Sequence, residues 1–236
     1  MTPIPATQAV VFDMDGVLID SEAIWREVRE EFAAAHGLVW NVEDQVATMG
    51  ANTAGWSRVM VERLQLRARL GMDEAALARE IIGRMRARYE ARLPEREGAI
   101  QAVHRAAERY KVALASGSPK ALGDFVLGAT GLDKVFVATL YGDDVEHGKP
   151  APDIYLRVLA DIGVAPGRAV GVEDSGNGIR SLAAAGMGII AAPGPDFPLA
   201  PEVLALAGAH IATMSEFSVE LVERAAAARP APAART

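Results

Sequence analysis

No cysteine occurs among the 236 residues, which removes disulfides, thiolate nucleophiles, cysteine zinc sites and iron–sulfur clusters together. Histidine is scarce as well: His36, His104, His147 and His210 are far apart in sequence, so a histidine-built metal site is disfavoured. Lysine occurs only at Lys111, Lys120, Lys134 and Lys149. No apolar run approaches the ~18 residues of a membrane span. The start, M-T-P-I-P-A-T-Q, has neither the basic nor the apolar segment of a secretory signal. The expectation is a soluble cytoplasmic protein without a membrane partner. A net charge of −7, from 24 Lys+Arg against 31 Asp+Glu, disfavours a nucleic-acid partner. Demanding chemistry is left to Ser, Asp, Glu, Lys and Tyr.

What is present is rhythm. Ala9-Val10-Val11-Phe12 is a short apolar run stopped by Asp13-Met14-Asp15-Gly16, as expected of a strand buried on both faces of a parallel sheet. Similar runs recur at 111–115, 135–139, 169–172 and 188–191, with helical stretches at 153–162 and 177–185, the latter stopped by Gly186. Strands alternating with helices predict an α/β fold with a doubly wound parallel, Rossmann-like sheet. The segment 21–97 interrupts the alternation. Ile24, Val28 and Phe32, then Trp56, Met60 and Leu64, then Leu77, Ile81 and Met85 recur every four residues, and Pro94 closes the third stretch. The expected organisation is a catalytic core of 1–20 and 98–229, an inserted all-helical domain of 21–97, and a disordered Pro- and Ala-rich tail of 230–236.

Four strand ends carry chemistry. Asp13 and Asp15 lie two apart, so extended backbone places both carboxylates on one face, where open α/β sheets bind ligands. A bare D-x-D-G is equally compatible with a turn. Ser116-Gly117-Ser118-Pro119 offers a hydroxyl and free N–H groups suited to a phosphate oxygen, or simply a helix cap. Gly148-Lys149-Pro150 holds a lysine that would read as a solvated loop residue on its own. Glu173-Asp174 adds two acids, also compatible with helix capping. Together, clustered hard carboxylates ask for Mg²⁺, and lysine with backbone donors asks for an anion.

These segments resemble the haloacid dehalogenase superfamily, in its helical-cap phosphatase and β-phosphoglucomutase-like branch. The matching residues are V-V-F-D-M-D-G-V-L-I-D-S-E (10–22), A-L-A-S-G-S (113–118), G-K-P-A-P-D-I-Y (148–155) and G-V-E-D-S (171–175). The resemblance implies that Asp13 attacks phosphorus and forms an aspartyl-phosphate, and that Asp15 acts as general acid and then general base. It implies that Ser116 and the Gly117 N–H hold the phosphoryl oxygens while Lys149 neutralises charge. It further implies Mg²⁺ bound by Asp13, the Asp15 carbonyl and Asp174, with Glu173 a direct or water-mediated helper, and segment 21–97 as the cap.

Within the branch, Asp15 argues against dehalogenation, which needs no proton donor for its leaving group. Schiff-base phosphonate cleavage is excluded because all four lysines lie outside 21–97. The β-phosphoglucomutase pattern has a histidine where this chain has Trp25 and an arginine where it has Thr53; Arg58 lies near enough for a shifted alignment. The expected function is Mg²⁺-dependent hydrolysis of a small phosphomonoester, a sugar or polyol phosphate. A sugar phosphomutase is the alternative, and a non-catalytic phosphometabolite binder is the remaining reading. Segment 21–97 carries 12 of the 20 arginines, expected mainly as a solvated helix face. Trp56 is expected in the core; Trp25 is open between core and substrate stacking. Nothing in the sequence requires more than one copy of the chain.

Overall fold

A computed structural model describes residues 7–230; the tail expected at 230–236 lies, but for Pro230, outside them. Six parallel strands form one sheet in the order β3-β2-β1-β4-β5-β6, with β1 at Ala9–Phe12, β2 at Lys111–Ala115, β3 at Ala138–Leu140, β4 at Ala169–Glu173, β5 at Gly188–Ala191 and β6 at Ala209–His210. The short apolar runs form strands because both of their faces are covered. Val10 and Phe12 join one core with the helices α6 (Ala99–Ala107), α7 (Lys120–Thr130) and α11 (Val219–Ala227). Ala9 and Val11 join another, with α8 (Asp153–Asp161), α9 (Gly176–Ala185) and α10 (Pro201–Leu204). β1 lies between β2 and β4, so the chain leaves it toward opposite edges. A crevice opens at such a reversal, beyond the carboxyl ends of the strands.

The third strand is displaced from the expected 135–139. Leu132–Lys134 forms a 3₁₀ turn and Val135 stays in the αR region. Val137, 59% exposed, donates its N–H to Val112 O at 2.9 Å as the chain joins the edge. Phe136 packs on Phe12 instead of pairing. β6, only two residues long, gives no periodic signal.

Between β1 and α6 stand five helices: α1 (Glu22–Ala35), α2 (Val42–Thr48), α3 (Thr53–Leu64), α4 (Leu66–Leu70) and α5 (Glu74–Ala91). The expected three-helix pattern accounts for α1, α3 and α5. Asn41 and Asn52 cap α2 and α3 through their side chains, as Asp73 caps α5. Pro94 constrains the residues before it, and Arg92 is already extended. The connections into and out of this helical segment run antiparallel at Ile19 and Glu95. Asp20 N–H donates to Pro94 O at 2.7 Å and Arg96 N–H to Leu18 O at 3.0 Å. Among the described residues no helix is long and apolar enough to cross a membrane.

Candidate active site

Asp13 directly follows β1, and its N–H still donates to Val172 O at 3.0 Å, so it points from the end of the central strand. Its side chain is buried. Lys149 Nζ is buried too, 2.9 Å from Asp13 Oδ1 and 2.6 Å from Glu173 Oε1, and donates to Ala115 O at 3.0 Å. It is therefore no solvated loop residue. Burial alone would lower the lysine pKa, but Asp13 and Glu173 override it and hold the ammonium charged. The contact with Asp13 is an ion pair off hydrogen-bond direction, so Asp13 Oδ1 accepts no hydrogen bond.

Asp15 faces the helical segment. Its Oδ1 accepts from Ser21 Oγ at 2.6 Å, Trp25 Nε1 at 3.1 Å and Tyr89 OH at 3.5 Å. Its Oδ2 accepts from Ser118 Oγ at 2.6 Å and Ser116 Oγ at 3.5 Å. Ser116 Oγ also accepts from Ser118 N–H at 3.0 Å, bending the loop after β2. The serines are not simple helix caps: α7 begins after Pro119, which offers no side-chain bond.

Glu173, Asp174 and Asp13 bring carboxylate oxygens within 4.8 Å of one another. Glu173 is enclosed by protein donors: Lys149 and Tyr155 OH (2.8 Å) on Oε1, Ser175 N–H and Oγ (both 3.1 Å) on Oε2. Asp174 sits against the turn at Gly16, whose φ is +70° and where an added Cβ would lie 1.9 Å from Asp174 Oδ2. Only glycine fits there. Burial, then Glu173, pushes the Asp13 pKa well up; burial, then Glu22, does the same for Asp174. Three crowded buried carboxylates face one ammonium, and Asp13 Oδ1 lacks a donor. A hard divalent cation fits this donor set.

The cavity over Asp13 and Asp15 is lined by Gly117 and Ser118 from the sheet side and by Glu22, Trp25, Arg29 and Trp56 from α1 and α3. Trp25 and Trp56 pack with their rings tilted and centroids 5.9 Å apart; both are buried, yet both form its wall. Thus Trp56 is packed as expected and also faces the cavity. Thr53 does not line it, and Arg58 is exposed. All seven expected site residues thus gather at the ends of β1, β2 and β4 and the loop before α8.

Sequence reading passed over three residues. Tyr155, within the quoted G-K-P-A-P-D-I-Y, supports Glu173 and lies 5.1 Å from Lys149 Nζ at its ring centroid. Glu22 has its pKa raised to about 7 by burial and Asp15. Arg29 was absorbed into the supposed solvated arginine face. The buried residues of α1 are Trp25, Val28, Arg29, Phe32 and Ala33, an i, i+3, i+4, i+7, i+8 stripe that includes an arginine. That placement was the available signal.

A family model described as a haloacid dehalogenase-like hydrolase matches residues 7–186. The phosphorylated carbohydrates phosphatase of Thermotoga maritima is 30% identical over 180 residues, 76% of this chain and 82% of that protein. The fructose-1-phosphate phosphatase YqaB of Escherichia coli K12 is 31% identical over 178 residues, 75% of this chain and 92% of that protein. The crystal structure of β-phosphoglucomutase from Clostridium difficile superposes with a TM-score of 0.79 at 18% identity, over 94% of this chain and 97% of that one. At that identity the likeness concerns the fold.

Proposed function

The chain belongs to the haloacid dehalogenase-like hydrolases, and from that membership we propose that it is a phosphoric monoester hydrolase acting on a small sugar or polyol phosphate through an aspartyl-phosphate. The observation that carries this reading is Asp13: a buried carboxylate at the central strand end, ion-paired to Lys149 at 2.9 Å with Oδ1 accepting no hydrogen bond. The cavity above it is also lined by Asp15, Gly117 and Ser118.

Asp13 attacks phosphorus; the new P–O bond forms as the ester P–O bond breaks, and the departing alkoxide takes a proton from Asp15. Asp15 then takes a proton from water, whose oxygen attacks the aspartyl-phosphate and releases inorganic phosphate. The Ser21, Trp25 and Ser118 donors hold the Asp15 carboxyl in place. Ser116 and the Gly117 N–H steady the phosphoryl oxygens, and Lys149 lowers the repulsion between phosphate and Asp13. Asp13, the Asp15 carbonyl and Asp174 would hold Mg²⁺, whose charge lets a phosphate dianion approach a carboxylate. Glu173 fixes Lys149 on one oxygen and the Ser175 turn on the other. Segment 21–97 acts as the cap over a core of 1–20 and 98–229. Support for that division comes from the paired entry and exit at Ile19 and Glu95; the two segments meet again through Asn52 Nδ2 to Gly142 O at 3.4 Å and Asn177 Nδ2 to Met49 O at 2.9 Å. Hydrolysis is favoured over phosphoryl exchange between sugar positions because Trp25 and Thr53 replace the histidine and arginine of the mutase pattern and Arg58 is exposed.

Phosphate release from a panel of sugar and polyol phosphates, with Mg²⁺ and with chelator, tests the reading. Asp13→Asn is expected to abolish turnover. Full turnover in that variant would remove Asp13 as nucleophile, and isomerisation of a sugar 1-phosphate without phosphate release would replace hydrolysis by the mutase reaction.

A further inference from the structure

Arg29 is 3% exposed, lines the cavity over Asp13, and has no carboxylate within ion-pair distance among the described residues. Its Nη1 donates to Gln45 Oε1 at 2.9 Å and to Thr48 Oγ1 at 3.1 Å. Its Nε is buried and bonds to nothing. The guanidinium lies 4.8 Å from the Trp25 ring centroid and 5.3 Å from that of Trp56, so its faces are covered by aromatic rings. Gln45 fixes it further: Oε1 also accepts from Trp40 Nε1 at 3.3 Å, while Nε2 donates to Glu22 Oε2 at 3.3 Å. Glu22 is thus tied to Gln45.

A buried cation without a counter-ion is costly unless something arrives to pair with it. Burial, the largest influence, pulls the Arg29 pKa down to about 10, and the Glu22 and Asp15 charges do not fully compensate. Even so it remains charged at neutral pH. Two donors are spent on fixed protein acceptors, which orients the plane, and the buried Nε–H is left without a partner in a side chain that lines the cavity. Such an arrangement suits bidentate binding of an oxyanion.

Resting on the phosphatase reading, we infer that Arg29 binds a second anionic group of the substrate, a carboxylate or a further phosphate, at the end of the molecule away from the scissile ester. The substrate class narrows from sugar and polyol phosphates at large to those bearing an acid as well: sugar-acid phosphates or sugar bisphosphates. Trp25 and Trp56 would flank the carbon chain between the two anionic ends.

The test uses pairs of phosphomonoesters of equal length whose far end is either a hydroxyl or a carboxylate, with a bisphosphate as a third member. Wild-type enzyme is expected to prefer the anionic members in kcat/KM by roughly a hundredfold, and Arg29→Gln to bring that ratio close to one. Arg29→Lys keeps the charge and loses the fork, so an intermediate ratio is expected; it carries the test if the Gln variant does not fold. A ratio unchanged in either folded variant, or equal loss on hydroxyl and anionic members, overturns the proposal. Quenching of tryptophan fluorescence on titration reads binding without turnover. Tighter binding of the anionic members by wild type than by Arg29→Lys upholds the proposal even where no ester is cleaved, the outcome that would sink the phosphatase reading alone. Equal binding of both members by the wild type overturns it.

Discussion

Glu22 gives the sharpest handle on the electrostatics of the cavity. Its carboxyl is held at about 7 instead of 4.5, by burial first and then by Asp15. For an acid whose folded pKa lies above its unfolded one, the fold favours the protonated form. That contribution is whole below about 4.5 and is lost as pH rises through about 7. At about 1.4 kcal/mol per pH unit, the gap amounts to ~3 kcal/mol withheld from the fold at alkaline pH. Glu22 borders the cavity, and water there screens part of this, so about 2 kcal/mol is the expected net value. Glu22→Gln removes the titration and retains an oxygen to accept from Gln45. The variant should therefore be more stable than wild type by ~2 kcal/mol at pH 8, near 4–8 °C in Tm for a chain of this size. The gain should fall below half of that at pH 5. Urea unfolding of both proteins in chelator at the two pH values measures it. An equal change at both pH values, or a loss of stability at pH 8, would refute the electrostatic reasoning.

Removing Lys149 leaves Asp13 and Glu173 buried without their cation; Lys149→Met should cost about 3–5 kcal/mol in urea unfolding and at least ~10³ in kcat/KM with p-nitrophenyl phosphate. Retained turnover would mean that Lys149 is structural only. Tyr155→Phe takes one donor from Glu173 Oε1, so about 1–2 kcal/mol of stability should be lost. The accompanying fall in activity should appear in kcat with KM unchanged; a rise in KM alone would argue that Tyr155 touches substrate. Gly16→Ala drives a methyl into Asp174. The increase in Tm produced by Mg²⁺ titration should vanish in that variant while the wild type keeps it, and an undiminished increase would place the cation elsewhere.

The parallel core was legible because its strands are uniformly apolar and end abruptly in polar residues, and because the strand ends meet at one sheet edge. That is why Asp13, Ser116, Lys149 and Glu173, distant in sequence, gather as expected. Register at the sheet's edge was less legible. The run 135–139 is as apolar as any other, but only tertiary packing sends Phe136 into the core against Phe12 and delays pairing to Ala138. In the helical segment, periodicity placed α1 with Val28 and Phe32 in the core and Ile24 packed against it, but the buried face is wider and also takes in Trp25 and Arg29. A four-residue repeat marks one row of a helix, and the neighbouring row that completes the stripe carries an arginine that apolar periodicity does not register.

Two buried cations, Lys149 against Asp13 and Arg29 on the cavity wall, differ in a way that composition conceals. Lys149 is charge-compensated: two carboxylates and a carbonyl surround its ammonium, and its charge is held against desolvation. It is paired before any ligand arrives, so it can lower the barrier at phosphorus while its position is fixed by Asp13 and Glu173. Arg29 is the opposite case, oriented by neutral acceptors, faced by aromatic rings and short of a counter-ion. A group held in place yet unpaired gains most from a ligand that completes it, since orientation has already been secured by the fold. Chemistry and selectivity are thereby separated along the cavity, the first at the sheet edge and the second on α1. The net charge of −7 bears on neither, because each end is governed by the few charges within a few ångströms of it.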